Sequence, residues 1–145
     1  MNTNQRFAVS VHILTLLATC QDDTVTSETI ATSVDTHPVV IRRTMAHLRA
    51  HGLVDSRAGA SGGWRLLKSP GQISLSQVYH AASHENVLTM HRHPDPDCQI
   101  GGNIHAALRP VFDQAQNAME AALDQFTIAD VLQNVMLQVE KRPQL

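Results

Sequence analysis

The sequence predicts a mainly α-helical fold that carries one small β-hairpin. Three patterns predict it: a basic amphipathic stretch followed by a Gly-rich turn between two apolar runs, two helical patterns before that stretch, and an apolar stripe of about six turns near the C-terminal end. With 145 residues, 43% of them hydrophobic, the chain has the size of one domain with an appended arm.

Two helices are expected before the basic stretch. Apolar residues recur at helical spacing from Phe7 onward, which predicts a first amphipathic helix over residues 4–20. Thr26 or Ser27 can cap a second, short helix that ends at Val34.

The basic stretch predicts the third helix. Pro38 suits a first helical position because its φ angle is already fixed at a helical value. Ile41, Met45 and Leu48 follow at helical spacing and form one apolar face. Gly52 stands where a left-handed residue ends a helix. A short helix, a turn and a second helix are typical of a helix-turn-helix.

A β-hairpin is expected directly after this helix. Its strands correspond to the apolar runs Leu53–Val54 and Trp64–Leu67, and the small residues of Arg57–Gly63 form the turn. A basic helix followed by a hairpin is typical of a winged helix-turn-helix, in which the helix enters a DNA groove and the hairpin, or wing, flanks it.

The charge distribution favours nucleic-acid binding. Residues 36–69 carry a net charge of +5, whereas the whole chain carries −2 and the remainder therefore −7. The charged residues of this basic island are Arg42, Arg43, Arg49, Arg57, Arg65, Lys68 and Asp55. A basic island on an acidic protein suits phosphate binding. The alternative is a solvated helix face beside a polar hairpin.

A long helix near the C-terminal end is interpreted as a dimerisation helix. Its apolar stripe continues through Phe126 and has no obvious partner in so small a domain. The expected interface residues are Ile104, Leu108, Val111, Ala115 and Met119. Pro110 cannot donate to the carbonyl of Ala106, so a kink or a shortened first turn is expected. The alternative is an ordinary core helix.

Two further helices flank this one in sequence. Ser74 can cap a helix over Leu75–Ala82, and Ile128–Val139 has apolar residues on one side. The predicted segments are residues 1–83, the winged helix-turn-helix domain; residues 84–102, a loop that carries Cys98; and residues 103–145, the dimerisation helix and the C-terminal helix.

Composition excludes several classes of protein. No apolar run approaches the ~20 residues of a membrane span, and Met1–Arg6 is too polar for a signal peptide, so a cytoplasmic protein is expected. Cys20 and Cys98 form no disulfide framework. If Cys98 were a nucleophile with His105 as its base, the pair would lack a third group to orient the base, so the chain is not predicted to be an enzyme. No bound cofactor is predicted either.

Cys98 allows three interpretations. It could be a thiol sensor, because His91, Arg92 and His93 precede it and would lower the pKa of its thiol if they folded back. It could be a metal ligand together with His91, His93 or His105, in a spacing that matches no standard zinc pattern. It could also be a structural residue packed under the dimerisation helix.

Several motifs carry a family resemblance. Arg6–Val9, Gly52–Val54, Gly62–Leu66 and Ile73–Leu75, in this order, resemble the Rrf2 family of bacterial winged-helix transcription regulators, which includes IscR, NsrR and CymR. The variant Pro38–Arg43 is most similar to the YwnA-like subgroup. The iron–sulfur members of the family carry three cysteines in the loop before the dimerisation helix. This loop departs from that pattern because it has only Cys98, so no cluster is expected here.

The resemblance implies a homodimeric regulator, expected to be a repressor, that binds a double-stranded DNA operator. By position, the DNA-binding residues would be His37, Val39, Val40, Arg42 and Arg43 on the third helix, with Arg57 and Arg65 in the wing. Arg43 is the expected base contact, since a guanidinium can hold guanine in bidentate fashion. The alternatives are a metal-responsive regulator and a winged-helix module that binds another protein and no DNA.

Overall fold

The computed structural model describes residues 1–20, 22–83 and 85–143. In order, the elements of this part of the chain are α1 (Thr3–Ala18), α2 (Ser27–Val34), α3 (Pro38–Ala50), β1 (Val54–Arg57), β2 (Gly63–Leu66), a 3₁₀ turn (Pro70–Gln72), α4 (Leu75–Ala82), α5 (Ile104–Leu123) and α6 (Ile128–Lys141). The two strands pair antiparallel. The predicted mainly helical fold with one hairpin wing is therefore confirmed.

Side-chain caps begin several of these helices. Asn2, Ser74 and Thr127 each accept a hydrogen bond from the third helical N–H, and the third residue bonds back to the cap, before α1, α4 and α6 respectively. These reciprocal capping boxes satisfy N–H groups that have no partner inside a helix. They explain why α4 and α6 begin at the residues that the sequence predicts.

The core is built around α1. Ile13 and Leu14 of α1 are fully buried with Ile30 of α2 and with Ile41 and Leu48 of α3. Helix α1 packs against α2, α3, α4 and α6, and these contacts assemble the winged helix-turn-helix into one unit, called here the head. Burial of side chains of this size contributes about 1.5–3 kcal/mol each.

Helix α6 shares this core. Ile128 is fully buried, its N–H donates to the carbonyl of Ile73 at 3.0 Å, and α6 packs along α1. The predicted division of the chain into residues 1–83, 84–102 and 103–145 stays a prediction. His84, where the predicted loop begins, and residues 144–145 lie outside the described residues.

Helix α5 lies largely at the surface. It continues through Pro110 with no shortened first turn, and it ends at Leu123. The predicted stripe therefore stops before Phe126, whose carbonyl instead accepts a hydrogen bond from the N–H of Leu75 at 2.9 Å. Gln116 is the only residue of α5 that is buried. Among the helices of the described ranges, none is long and apolar enough to cross a membrane.

Candidate DNA-binding surface

A tight turn sets the angle between α2 and α3. Asp35 adopts a left-handed conformation with φ of 60°, and the N–H of Thr36 donates to the carbonyl of Ala31 at 3.0 Å. His37 is the N-cap of α3, and its Nδ1 accepts a hydrogen bond from the N–H of Val39 at 3.2 Å. This contact fixes the ring of His37 at the start of the helix.

The outward face of α3 is exposed and basic. Ile41, Met45 and Leu48 are buried in the core, as their spacing predicts. Val39 is 51% exposed, and Arg42 and Arg43 also face solvent. Val40 is half-buried. The exposed side chains therefore lie along the face opposite the core, where a DNA groove could meet them.

The two adjacent arginines have different surroundings. Arg42 Nη2 lies 2.8 Å from Glu28 Oε1, and both side chains are largely exposed. Such a surface pair is worth about 0–1 kcal/mol and is readily exchanged for a phosphate. Within the described residues, no hydrogen bond or salt bridge occupies the Arg43 side chain. Arg43 is therefore available to a ligand.

The start of α1 adds a basic residue that lies outside the basic island of the sequence. Arg6 lines a cleft of about 350 Å³ between α1 and α3. The other residues that line it are Met1, Val40, Arg43, Thr44 and His47. Arg6 thus extends the basic surface beside Arg43. Because Arg6 and Arg43 are far apart in sequence, the sequence pattern does not show that they are neighbours.

The wing is a short hairpin with a glycine-dependent turn. Arg57 pairs with Gly63 and Asp55 with Arg65 across the strands. A Cβ atom at Gly62 would clash with the carbonyl oxygens of Arg57 and Gly59, so only glycine fits there. The Arg57 and Arg65 side chains are exposed.

Trp64 anchors the wing to the helix-turn-helix. Its indole N–H donates to Ser27 Oγ at 3.1 Å, and its backbone pairs with Val25 before α2. Arg49 of α3 stacks over the indole ring, with its guanidinium carbon 5.2 Å from the ring centre. Arg49 also donates to Ser56 Oγ.

Arg49 therefore differs from the other arginines of the basic island. In the sequence Arg49 is only one positive charge of the basic island, whereas in the structure its side chain connects the end of α3 to both strands of the wing. A tryptophan in β2 with an arginine at the end of the preceding helix was the available signal for a cation–π contact.

Comparisons with known proteins identify the family of this chain. Residues 3–134 match the Rrf2 family model, described as an iron-dependent transcriptional regulator. The chain is 40% identical over 133 residues to the proposed helix-turn-helix transcriptional regulator YwnA of Bacillus subtilis (strain 168), covering 91% of this chain and 98% of that one. The chain belongs to the Rrf2 family.

Solved structures agree with this assignment. The crystal structure of a proposed DNA-binding protein has a TM-score of 0.72 and 39% identity, and the match covers 88% of the Rrf2 chain described here and 98% of the other. A proposed transcriptional regulator from Lactobacillus plantarum has a TM-score of 0.77 and 26% identity, with 94% and 96% covered. Rrf2 proteins are transcription regulators, which confirms the prediction of a protein without enzymatic function.

Cys98 of this Rrf2 protein lies in the loop before α5. Its side chain is exposed. The backbone N–H of Gly101, and to a lesser extent that of Ile100, hydrogen-bond to the sulfur and lower the pKa of the Cys98 thiol. These N–H groups favour the thiolate because they donate to its charge. The cause is therefore different from the predicted one, in which His91, Arg92 and His93 fold back onto the thiol.

The loop does not assemble a metal site in the described ranges. His91 and His105 lie edge to face with ring centres 5.1 Å apart, and His105 Nε2 is 2.9 Å from the carbonyl oxygen of His91. No group of three or more His, Cys, Asp or Glu that could hold a metal occurs among the described residues. An iron–sulfur cluster needs about four ligands, mostly thiolates, and this loop offers one. The described residues of the loop therefore do not fit an iron–sulfur cluster.

The residues predicted for the dimer interface form a partly exposed stripe. Val111 is 57% exposed and Ala115 is exposed, while Ile104, Leu108 and Met119 are half-buried. An exposed apolar stripe on a helix is typical of a surface that a partner covers.

Proposed function

We propose that this Rrf2 protein is a homodimeric repressor that binds a DNA operator. The outward face of α3 would enter the major groove, and Arg57 and Arg65 of the wing would contact the neighbouring backbone or minor groove. Repression requires only that the dimer occupy a promoter, whereas activation would require a further surface for the polymerase.

The observation that carries this proposal is Arg43. Its side chain is exposed, lies on the face of α3 opposite the core, and has no hydrogen bond or salt bridge among the described residues. Val39 lies four residues earlier on the same face and could contact a thymine methyl group. An unpaired guanidinium beside an apolar side chain suits the recognition of base edges.

The experiment begins with selection of the operator from random double-stranded DNA by the full-length protein. Arg43→Ala is expected to cost ~1–3 kcal/mol on the selected site and to relax the preference at one base pair, because a bidentate contact is lost. Arg57→Ala is expected to weaken binding to all sequences and to reduce the salt slope by about one, because a phosphate contact is lost.

Arg142→Ala is the matched control, because Arg142 is exposed and lies outside the basic island. This variant should bind as the wild type does. Equal affinities of the wild type and both test variants would contradict the proposal. They would favour the alternative of a winged-helix module that binds a protein partner and no DNA.

We further propose that the repressor responds to thiol oxidation at Cys98. The exposed thiol, the hydrogen bonds that lower its pKa, and its place just before α5 support this role. Oxidation by a peroxide gives a sulfenic acid and water, and a second thiol then gives a disulfide and releases water. A larger polar group at this position would lie next to the start of the proposed dimerisation helix.

The test compares operator affinity before and after peroxide treatment. In the wild type, oxidation should weaken binding and a reductant should restore it. Cys98→Ser should bind DNA normally and ignore the oxidant, whereas Cys20→Ser should behave as the wild type does. Unchanged affinity after thiol oxidation confirmed by mass would rule out the sensor role.

A further inference from the structure

Gln116 combines two properties that rarely occur together in an exposed helix. It is the only buried residue of α5, with 9% of its surface exposed, and its side chain is polar. Burying a side-chain amide is unfavourable unless its hydrogen bonds are made inside the protein. The partners of Gln116 therefore determine what this residue contributes.

The amide of Gln116 is fully hydrogen-bonded. Its Oε1 accepts from the N–H of Val87 at 3.2 Å. Its Nε2 donates to Tyr79 Oη at 3.1 Å and to Glu120 Oε1 at 2.7 Å. One partner belongs to the loop that follows α4, one to α4 itself and one to α5. Both amide protons and the amide oxygen are thus used.

The partners of Gln116 are themselves fixed to the head. Tyr79 is buried, donates its hydroxyl to the carbonyl of Glu85 at 3.2 Å, and packs edge to face on Phe7 of α1 with ring centres 5.6 Å apart. His80 Nε2 of α4 lies 3.1 Å from Glu120 Oε2. A ring contact therefore joins α1 to α4, and polar contacts of Tyr79 and His80 join α4 to α5.

We propose that Gln116 is a positioning residue that holds the head at a fixed angle to α5. In the homodimer, this angle sets the distance and rotation between the two DNA-reading helices. Gln116 would therefore determine which spacing of operator half-sites the protein accepts. The inference rests on the proposed function, because it requires a dimer that binds two half-sites.

The position of Gln116 on the helix supports this role. Successive residues of an α-helix are about 100° apart around its axis, so Gln116 and Ala115 of the proposed interface face different directions. One face of α5 therefore contacts its own head while the neighbouring face is left for a partner. Because Val87 begins the segment that leads to Cys98, the same amide also connects that loop to the head.

The experiment measures spacing preference with full-length protein. The DNA probes are a single half-site, the selected operator, and operators with one base pair inserted or removed between the half-sites. A change of one base pair rotates one half-site by about a tenth of a helical turn. The variants are Gln116→Leu, Tyr79→Phe, which keeps the ring and removes the hydroxyl, and Gln114→Leu, an exposed control on the same helix.

Gln116→Leu and Tyr79→Phe should remain dimeric and keep the affinity of the wild type for a single half-site. In Tyr79→Phe the preference for the selected spacing over the altered spacings should fall roughly fivefold to tenfold, the size expected for the one hydrogen bond lost between α4 and α5. In Gln116→Leu it should fall at least as far, because all three hydrogen bonds of the amide are lost. The double variant should lose little more spacing preference than Gln116→Leu alone, because the hydrogen bond between Tyr79 and Gln116 is already absent in that variant. Gln114→Leu should keep the spacing preference of the wild type.

An unchanged spacing preference in Tyr79→Phe and Gln116→Leu would overturn the inference. A parallel loss of half-site affinity and spacing preference would also overturn it, since that result indicates a damaged head. If Gln116→Leu does not fold, Tyr79→Phe decides alone. A wild type that is monomeric or shows no spacing preference would instead overturn the proposed function.

Discussion

The thiol of Cys98 shows how backbone geometry alone can change side-chain chemistry. The residue is exposed, so burial does little to disfavour its charged form, and the N–H groups of Gly101 and Ile100 are directed at the sulfur. Hydrogen bonds to a thiolate stabilise it relative to the neutral thiol. The lowered pKa means that the reactive thiolate forms at a lower pH than in an ordinary cysteine.

This shift predicts the pH dependence of Cys98 alkylation. The rate of reaction with iodoacetamide follows the thiolate fraction, so it should rise with pH and reach half its maximum below the midpoint of a free cysteine measured alongside. The rate at Cys98 can be followed by mass spectrometry of the peptide that contains it. Cys98→Ser serves as the control for reaction at Cys20. A midpoint at or above that of free cysteine would show that the hydrogen bonds do not act in solution.

At the scale of elements, the wing depends on α3 for its orientation. A two-stranded hairpin is marginally stable alone, so contacts outside the hairpin must hold it. In the first contact, the indole N–H of Trp64 donates to Ser27. In the second, Arg49 at the end of α3 stacks on the Trp64 ring and donates to Ser56. The angle between α3 and the wing is thus set by a side chain that carries a positive charge.

This arrangement predicts an unusual result for Arg49→Met. Loss of the stacked guanidinium should weaken operator binding roughly threefold to tenfold, because the cation–π contact and a hydrogen bond contribute about 1 kcal/mol together. The slope of affinity against salt concentration should stay that of the wild type, because no phosphate contact is lost.

Arg49→Lys separates the two possible roles of this residue. Lysine keeps the charge but lacks the planar group that stacks on Trp64, so the variant should resemble Arg49→Met if Arg49 supports the wing. Binding by Arg49→Lys at the level of the wild type, with a reduced salt slope in Arg49→Met, would instead identify Arg49 as a phosphate contact.

The elements themselves were largely predictable from local pattern. Gly52, with φ of 72°, ends α3 where the sequence places a left-handed residue, and α4 begins as predicted because Ser74 caps it. Such features depend on nearby residues only. The contact between Trp64 and Ser27 joins residues that are 37 positions apart, and no periodicity in a single sequence reports it.

The same distinction applies to the candidate site. Exposure of Arg43 follows from its place opposite the apolar stripe of α3, so the sequence could predict it. The neighbourhood of Arg6 and Arg43 depends on how α1 crosses α3. The hydrogen bonds that lower the pKa of Cys98 depend on the turn after it, which the sequence shows only as Gly101–Gly102.

For the whole molecule, the length of α5 matters. With 20 residues, α5 is about 30 Å long. Half-sites on one side of DNA are ~34 Å apart, so a pair of crossed helices of this length could support two heads at a suitable separation. In a two-fold dimer the apolar stripe of α5 would pack against the same stripe of the partner's α5.

This geometry predicts that Val111→Glu breaks the dimer and leaves the head folded. Val111 is 57% exposed in the single chain, so a carboxylate there should cost little stability in the monomer. In a two-fold interface the substitution buries two unpaired like charges, each at a cost of ~3–5 kcal/mol. Sedimentation at micromolar concentration should therefore show a dimer for the wild type and a folded monomer for Val111→Glu.

Leu67→Glu is the matched control, because Leu67 is also an exposed apolar side chain, at 50%, but lies beyond the wing and away from α5. It should remain dimeric. The monomeric Val111→Glu variant should bind a single half-site as well as one head of the wild type does. On a full operator it should lose the gain in affinity that comes from two linked heads. A wild type that sediments as a monomer, or a Val111→Glu variant that stays dimeric, would contradict the assignment of this face of α5 to the interface.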